Sequence, residues 1–540
     1  RPPGHYRARA RAPLGSAQWG ARGSAREIAA PGDARSVRAG ARPRLIFGLM
    51  NEDTRHILPR TIPWHEIGLI MGPVLGAAVY LFLQEAHELA EPGRRLAGVA
   101  ALMAVWWIFE AVPIAATALL PIILFPVLGI LPVENTTARY AHKLIFLFMG
   151  GLMLGIGLQR WDAHKRMALL IIMLVGTGPR RIVGGIMLSA GVLSAFVSNT
   201  ATTMMMLPIV LAVGALAVGD DDENPDASRY HLCLLLSLAY SANLGGIATI
   251  TGTPPNGLLA GFMTQEMGIE MTYVRWLAFG VPLACVMVPI AWVYLVFLAT
   301  PVRIGEVPGG RGFVRARLRE MGPMSRPEMT AVGIFGLTAL GWIFHGVIEH
   351  ALGIPKIDDS SIAIGGALLM FIAPSGDPDH PRVISWRDAE RIPWGILILF
   401  GGGLALAAGV TRSGLAAWIG GLIAAMGSPG ELPLLGGVSV LVGMLTNITS
   451  NTATTSTMLP VLAAVADGLG VDAARLVIAA AVSSSCAFVL PIATPPNAIV
   501  FSSGKVTIRQ MALAGIGFNI IAALIVAVLV WALAGPLLGL

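Results

Sequence analysis

Two nearly identical stretches set the terms on which this chain can fold. One opens with Ser198, Asn199, Thr200, Ala201, Thr202 and Thr203 and ends in Leu207-Pro208-Ile209; the other opens with Ser450, Asn451, Thr452, Ala453, Thr454 and Thr455 and ends in Leu459-Pro460-Val461, so that nine of twelve positions match. Each copy lies inside an apolar segment. Hydroxyls and a side-chain amide are thus placed twice at bilayer depth, which is costly unless they bind something.

Composition identifies the solvent. Of 540 residues, 55% are hydrophobic and only 13% charged, against about 25% in a soluble domain, and mean hydropathy is +0.72. A polytopic all-α membrane protein is implied. Cys233, Cys285 and Cys486 are far apart, with no metal or disulfide spacing. The net charge of +6 comes from loops and the amino-terminal tail, which suits orientation in a bilayer and not a nucleic-acid footprint.

In chain order, residues 1–60 are rich in Arg, Ala, Gly and Pro without a hydrophobic period, and read as a disordered tail. Membrane segments are expected at about 67–84, 96–112, 114–131 and 143–160, followed by a surface-lying helix at about 166–177. Glu110, near a helix end, reads as an interfacial or packing carboxylate. The stretch 182–217, which holds the first Ser-Asn-Thr, has two apolar halves too short to cross about 30 Å of hydrocarbon, and fits a re-entrant hairpin. Asp220, Asp221, Asp222 and Glu223 form a solvated charge run. Segment 231–263 is broken at Thr253-Pro254-Pro255-Asn256, because two prolines cannot sit in an unbroken helix. A further segment spans about 274–298, and an arginine-rich connection follows.

The second half repeats the first. Leu147 begins a Phe-x-Gly-Gly string that returns at Leu399, and Ser198 returns as Ser450, both 252 positions on; Thr253 returns as Thr494 after 241, the acidic loop accounting for the difference. Five crossings separate the copies, an odd number, so the repeats are inverted, and the basic clusters then fall on one side. Eleven transmembrane helices are expected, amino terminus inside and carboxyl terminus outside. Inverted repeats with broken helices at the midplane are the architecture of secondary transporters.

The hairpin tips and unwound loops offer Ser and Thr hydroxyls, Asn amides and freed carbonyls, which serve an anion on one side and a small cation on the other. No Lys or Arg lies in either tip or either Thr-Pro-Pro-Asn loop. A dianion there lacks a fixed counter-charge, and co-bound cations supply one. Ser194 and Thr446, one helical turn before each tip, are natural cation ligands.

At these residues the chain resembles the divalent anion/sodium symporter family. The resemblance rests on the doubled Ser-Asn-Thr-Ala-Thr, both Thr-Pro-Pro-Asn loops, the run Trp106-Trp107-Ile108-Phe109-Glu110-Ala111-Val112-Pro113 and the Phe-x-Gly-Gly strings, and covers about residues 65–537. It implies one sodium site around Ser194, Ser198, Asn199 and Gly252 and another around Thr446, Thr449, Asn451 and Ala493. The carboxylates would be held by Ser198, Asn199, Thr200, Thr253 and Pro254, and by Ser450, Asn451, Thr452, Thr494 and Pro495. It also implies a homodimer and an elevator mechanism. Residues 65–142 would then be scaffold helices, and 143–263 the first half of a transport domain, with hairpin 182–217 and broken helix 231–263. Residues 274–373 would link and scaffold; 394–503 would be the second half, with a hairpin at about 430–466 and a broken helix at 476–503, before a last helix at 512–537. Thr203, Met204, Ser456 and Thr457 depart from the family's common form and bear on substrate size.

The expected function is transport, not enzymology: sodium-coupled carriage of C4-type dicarboxylates such as succinate, malate or fumarate across the cell inner membrane by a multi-pass carrier. Sodium is the co-transported ion and no organic cofactor is expected; the partners are the di- or tricarboxylate anion, sodium, the lipid bilayer and a second copy. The rivals are a dicarboxylate exchanger of the same fold, a carrier for sulfate or another inorganic anion, and, from other classes, a membrane enzyme or a channel. No nucleophile–base pair or metal cluster supports the enzyme reading.

Overall fold

The computed structural model describes residues 64–176, 178–219, 224–305, 310–353, 357–424 and 430–540. The amino-terminal tail of residues 1–60 and the acidic run Asp220–Glu223 lie outside them. The described chain is helical, and its one β-bridge pairs Pro374 with Arg382.

Seven of the described helices are long and apolar enough to cross a membrane, from His65–Glu85 to Ile508–Leu538. Their outward faces are apolar: Ile70, Phe82, Leu298 and Leu513 are 67–82% exposed. Such a surface would be an aggregation liability in water and is the expected face toward lipid. The Trp106–Pro113 run ends a helix at Ile108, with Glu110 exposed and in the left-handed region at φ 46°.

The first Ser-Asn-Thr lies where two helices, Pro179–Ser194 and Asn199–Val218, are joined by a four-residue turn. In the second half, Glu431–Leu445 and Asn451–Leu469 flank the turn 446–450. The first broken segment is Pro225–Gly246, an irregular stretch, then Pro254–Glu266; the second is Ala473–Ser484, a longer irregular stretch, then Pro495–Phe501. Proline at the first helical positions has no N–H to leave unsatisfied, so each Pro-Pro restarts a helix where it could not continue one. The residue before each pair is extended, Thr253 at φ −144° and Thr494 at φ −143°, as the steric demand of a following proline requires.

Glycine lets these pieces approach. A Cβ on Gly151 would stand 2.9 Å from Thr251 Cγ2, and one on Gly403 would stand 2.9 Å from Ser456 Oγ. The two Phe-x-Gly-Gly strings therefore carry glycine where a neighbouring helix or broken segment presses close. A large buried core runs from Leu144 to Leu538, and a smaller one joins Leu96, Trp107 and Phe125 to Leu399 and Leu415.

Candidate functional site

The first tip is built around Asn199. It starts its helix, with Ser198 as the N-cap, whose Oγ accepts from Ala201 N at 3.3 Å. Ser194, fully buried, donates through Oγ to Ala242 O at 2.7 Å. The Asn199 amide nitrogen, turned inward, donates to Ser194 Oγ at 2.5 Å and to Ala242 O and Gly252 O at 3.2 Å each. Three oxygens from three elements thus converge on one atom position. The close approach of Gly246 and Gly252 makes room, since a Cβ on Gly246 would stand 2.6 Å from the Asn199 side-chain amide and 3.1 Å from Gly252 O.

The second tip joins the equivalent residues. Thr446 Oγ1, fully buried, lies 2.7 Å from Asn451 Oδ1 and 2.8 Å from Ser484 O. In both halves a hydroxyl residue joins the asparagine five positions on to a carbonyl near the end of the helix that breaks.

Each break is held by the asparagine of its own Thr-Pro-Pro-Asn. Asn256 Nδ2 donates to Gly246 O, Ile247 O and Thr249 O at 3.2, 3.1 and 2.7 Å; Asn497 Nδ2 donates to Ala487 O and Leu490 O at 3.1 and 3.0 Å. These carbonyls lost their helical partners when the chain unwound, and a buried carbonyl without a donor is expensive. The second break has two further supports: Val489 N donates to Asn447 Oδ1 at 2.9 Å and Phe488 N to Asn519 Oδ1 at 3.2 Å.

The halves interlock crosswise. The Pro495–Phe501 helix packs on Asn199–Val218 and Pro225–Gly246, and Pro254–Glu266 packs on Asn451–Leu469. Asn243 Nδ2 donates to Thr494 Oγ1 at 3.1 Å, a direct polar link from the first broken helix to the second break.

The structure therefore joins Ser194, Asn199 and Gly252 in one cluster, with Ser198 capping beside them, and joins Thr446 to Asn451. Thr449 Oγ1 instead donates to Leu445 O at 2.9 Å and sits 2.6 Å from Thr454 Oγ1. Ala493 is buried, and its N–H goes to Leu490 O. The hydroxyls of Thr200, Thr253, Ser450 and Thr452 have no hydrogen-bond partner among the described residues, whereas Thr494 Oγ1 is engaged by Asn243 and Asn497. Pro254 is half-buried and Pro495 exposed. With its amide turned the other way, Asn199 adds an oxygen to those of Ser194, Ala242 and Gly252, a donor set that suits a hard cation such as sodium. Among the described residues no three His, Cys, Asp or Glu are placed to hold a metal ion.

Sequence reasoning left Asn243, Asn447 and Asn519 out of the site. Asn519 had a signal, as an amide in the middle of the long apolar helix Ile508–Leu538; Asn243 and Asn447 had none beyond being polar in apolar surroundings.

The family described as the sodium:sulfate symporter transmembrane region matches residues 68–540. A protein of Staphylococcus saprophyticus named sodium-dependent dicarboxylate transporter SdcS is 38% identical over 478 residues, 88% of this chain and 92% of that protein. Its namesake in Staphylococcus aureus is 39% identical over the same shares. The YdaH transporter of Alcanivorax borkumensis, a crystal structure, superposes with a TM-score of 0.54 at 15% identity over 83% of this chain and 98% of its own, a likeness of fold.

Proposed function

Because this chain belongs to the sodium:sulfate symporter transmembrane family, we propose that it is a sodium-coupled carrier of C4-type dicarboxylates, succinate, malate or fumarate, working by alternating access. It is a multi-pass membrane transporter and not an enzyme. The dicarboxylate reading is supported by the two staphylococcal relatives, whose name carries both sodium and dicarboxylate.

One observation carries the site: the hydroxyl–asparagine–carbonyl cluster occurs twice, at Ser194/Asn199/Ala242 and at Thr446/Asn451/Ser484, each beside an asparagine-braced break. Each cluster would take a sodium ion, and the uncommitted hydroxyls of Thr200, Thr253, Ser450 and Thr452 would take the carboxylates. The sodium ions offset the dianion's charge. A fully loaded or an empty carrier then crosses the low-dielectric barrier, while a partly loaded one exposes unpaired charge. Coupling is this difference in stability between loading states.

The finer architecture belongs to the same proposal: eleven crossings, two inverted repeats with re-entrant hairpins, an elevator-like movement of residues 143–263 and 394–503, a homodimer, and placement in the cell inner membrane with the amino terminus inside.

Uptake of labelled succinate into proteoliposomes tests the function. Uptake that needs an inward sodium gradient and is slowed by inside-positive voltage is expected. Uptake that needs only internal succinate would make the protein an exchanger, and sodium-driven sulfate uptake without succinate uptake would replace the substrate class. Asn199→Ala and Asn451→Ala should each abolish saturable uptake in a folded protein; normal transport by either overturns the site.

A further inference from the structure

We infer that the headgroup of an anionic phospholipid binds where Arg180, Arg181 and Arg303 converge at the foot of the first hairpin. Arg180 and Arg181 open the helix Pro179–Ser194, and Arg303 follows the apolar span Tyr273–Ala299 by four residues. Arg180 and Arg181 stand some 16 residues before the polar tip, roughly 24 Å along a helix, so the cavity they share with Arg303 is apart from the proposed transport site. The three arginines and Val302 frame a cavity of about 290 Å³.

Arg180 is fixed as the wall. Its Nη2 donates to Val302 O at 3.3 Å, its guanidinium lies 4.8 Å from the Phe297 ring centroid, and its carbonyl accepts from Trp292 Nε1 at 3.0 Å. Arg181 and Arg303 are exposed, and neither meets a carboxylate among the described residues. Three guanidinium groups with no carboxylate partner among the described residues repel one another around one cavity, and a phosphate relieves that repulsion while matching their fork geometry.

The surroundings choose a lipid over free phosphate. Phe297, against the Arg180 guanidinium, and Val293 and Leu298 on the same span are 43, 45 and 68% exposed, apolar surface for acyl chains next to the cationic rim. Trp292, pinned to Arg180, sits at the junction as aromatic residues do at the interface of a bilayer. A basic pocket between helix ends at headgroup level is the setting for anionic lipid recognition. The inference rests on the membrane reading of the chain and not on its substrate.

Thermal unfolding of the full-length protein in neutral detergent tests it, with added short-chain phosphatidylglycerol, phosphatidylcholine of the same chains, or inorganic phosphate. Phosphatidylglycerol is expected to raise the midpoint by about 3–5 °C, the others by less than about 1 °C. The double variant Arg181→Gln/Arg303→Gln should lose at least half of that shift. An undiminished shift in the variant overturns the proposal. An equal shift from inorganic phosphate overturns the lipid assignment in favour of a free-anion site. If the double variant does not fold, native mass spectrometry of each single variant replaces it: retention of phosphatidylglycerol should fall at least threefold, and unchanged retention in both overturns the proposal. Succinate uptake is read separately, so failure here leaves the transport reading standing, and failure of transport leaves this one.

Discussion

Thr446→Val is the sharpest test of the second cation cluster, because valine keeps the shape of threonine and removes only the hydroxyl. Thr446 and Ser484 are both fully buried, and Thr446 Oγ1 stands 2.8 Å from Ser484 O and 2.7 Å from Asn451 Oδ1. The hydroxyl has one proton and donates to one of these acceptors at a time, and orphaning the buried carbonyl costs about 1–3 kcal/mol. The sodium-free protein should therefore be destabilised by about 1–3 kcal/mol. Sodium binding loses one oxygen ligand; if that is worth about 1.4–2.8 kcal/mol, affinity falls about 10- to 100-fold. Thr446→Ser keeps the oxygen and removes a methyl, at about 1 kcal/mol of stability. The assay is the sodium concentration for half-maximal succinate uptake in proteoliposomes, with thermal unfolding alongside. Thr446→Val should shift it at least tenfold and Thr446→Ser by less than about threefold. If both variants keep the native sodium dependence, the hydroxyl only glues helices together and the cation assignment fails.

Gly246→Ala should block the first cluster without unfolding the protein: its Cβ meets the Asn199 side-chain amide at 2.6 Å, while alanine is favoured over glycine in a helix by about 1 kcal/mol, so sodium-stimulated uptake should vanish with the melting midpoint little changed. Arg166 grips nearly buried Glu328 with Nε to Oε1 at 2.6 Å and Nη2 to Oε2 at 3.1 Å; Arg166→Met should cost about 3–5 kcal/mol in thermal unfolding, and Arg166→Met/Glu328→Leu less, since the second change removes the stranded charge. Burial pushes the His164 imidazole below its ordinary value, against an opposing hydrogen bond with Leu158 O. The unfolded chain then takes up its proton near pH 6.5 before the folded one does, so stability is full above about pH 6.5 and falls as the pH drops below it. His164→Gln should flatten the melting-temperature profile between about pH 7.5 and 5, and an unchanged slope refutes this.

Much of the geometry of the candidate site was legible because it is local. A hydroxyl, an asparagine five residues later and a Pro-Pro that must restart a helix are facts of the chain, and they located Ser194, Asn199, Thr446, Asn451 and both breaks. Six of the seven long apolar helices were equally legible, since hydropathy and length are read residue by residue; the seventh, Asn199–Val218, was expected to be a hairpin half too short to cross, yet at 20 residues it is long and apolar enough to do so. The count of eleven crossings was a further step, depending on which shorter segments traverse the bilayer.

What tertiary structure decided is who satisfies whom. Thr449 and Thr446 look alike in sequence, yet Thr446 faces the breaking helix and Thr449 turns to Thr454. Asn519, 72 positions after Asn447, meets the same glycine carbonyl, Gly443 O, at 2.7 Å. Asn243 reaches Thr494 across 251 residues. The sequence determines which polar groups must be buried and where helices have to stop, because those follow from covalent geometry and solvation. Only packing determines which distant amide repairs each broken carbonyl, because that depends on how two halves of one chain are brought against each other.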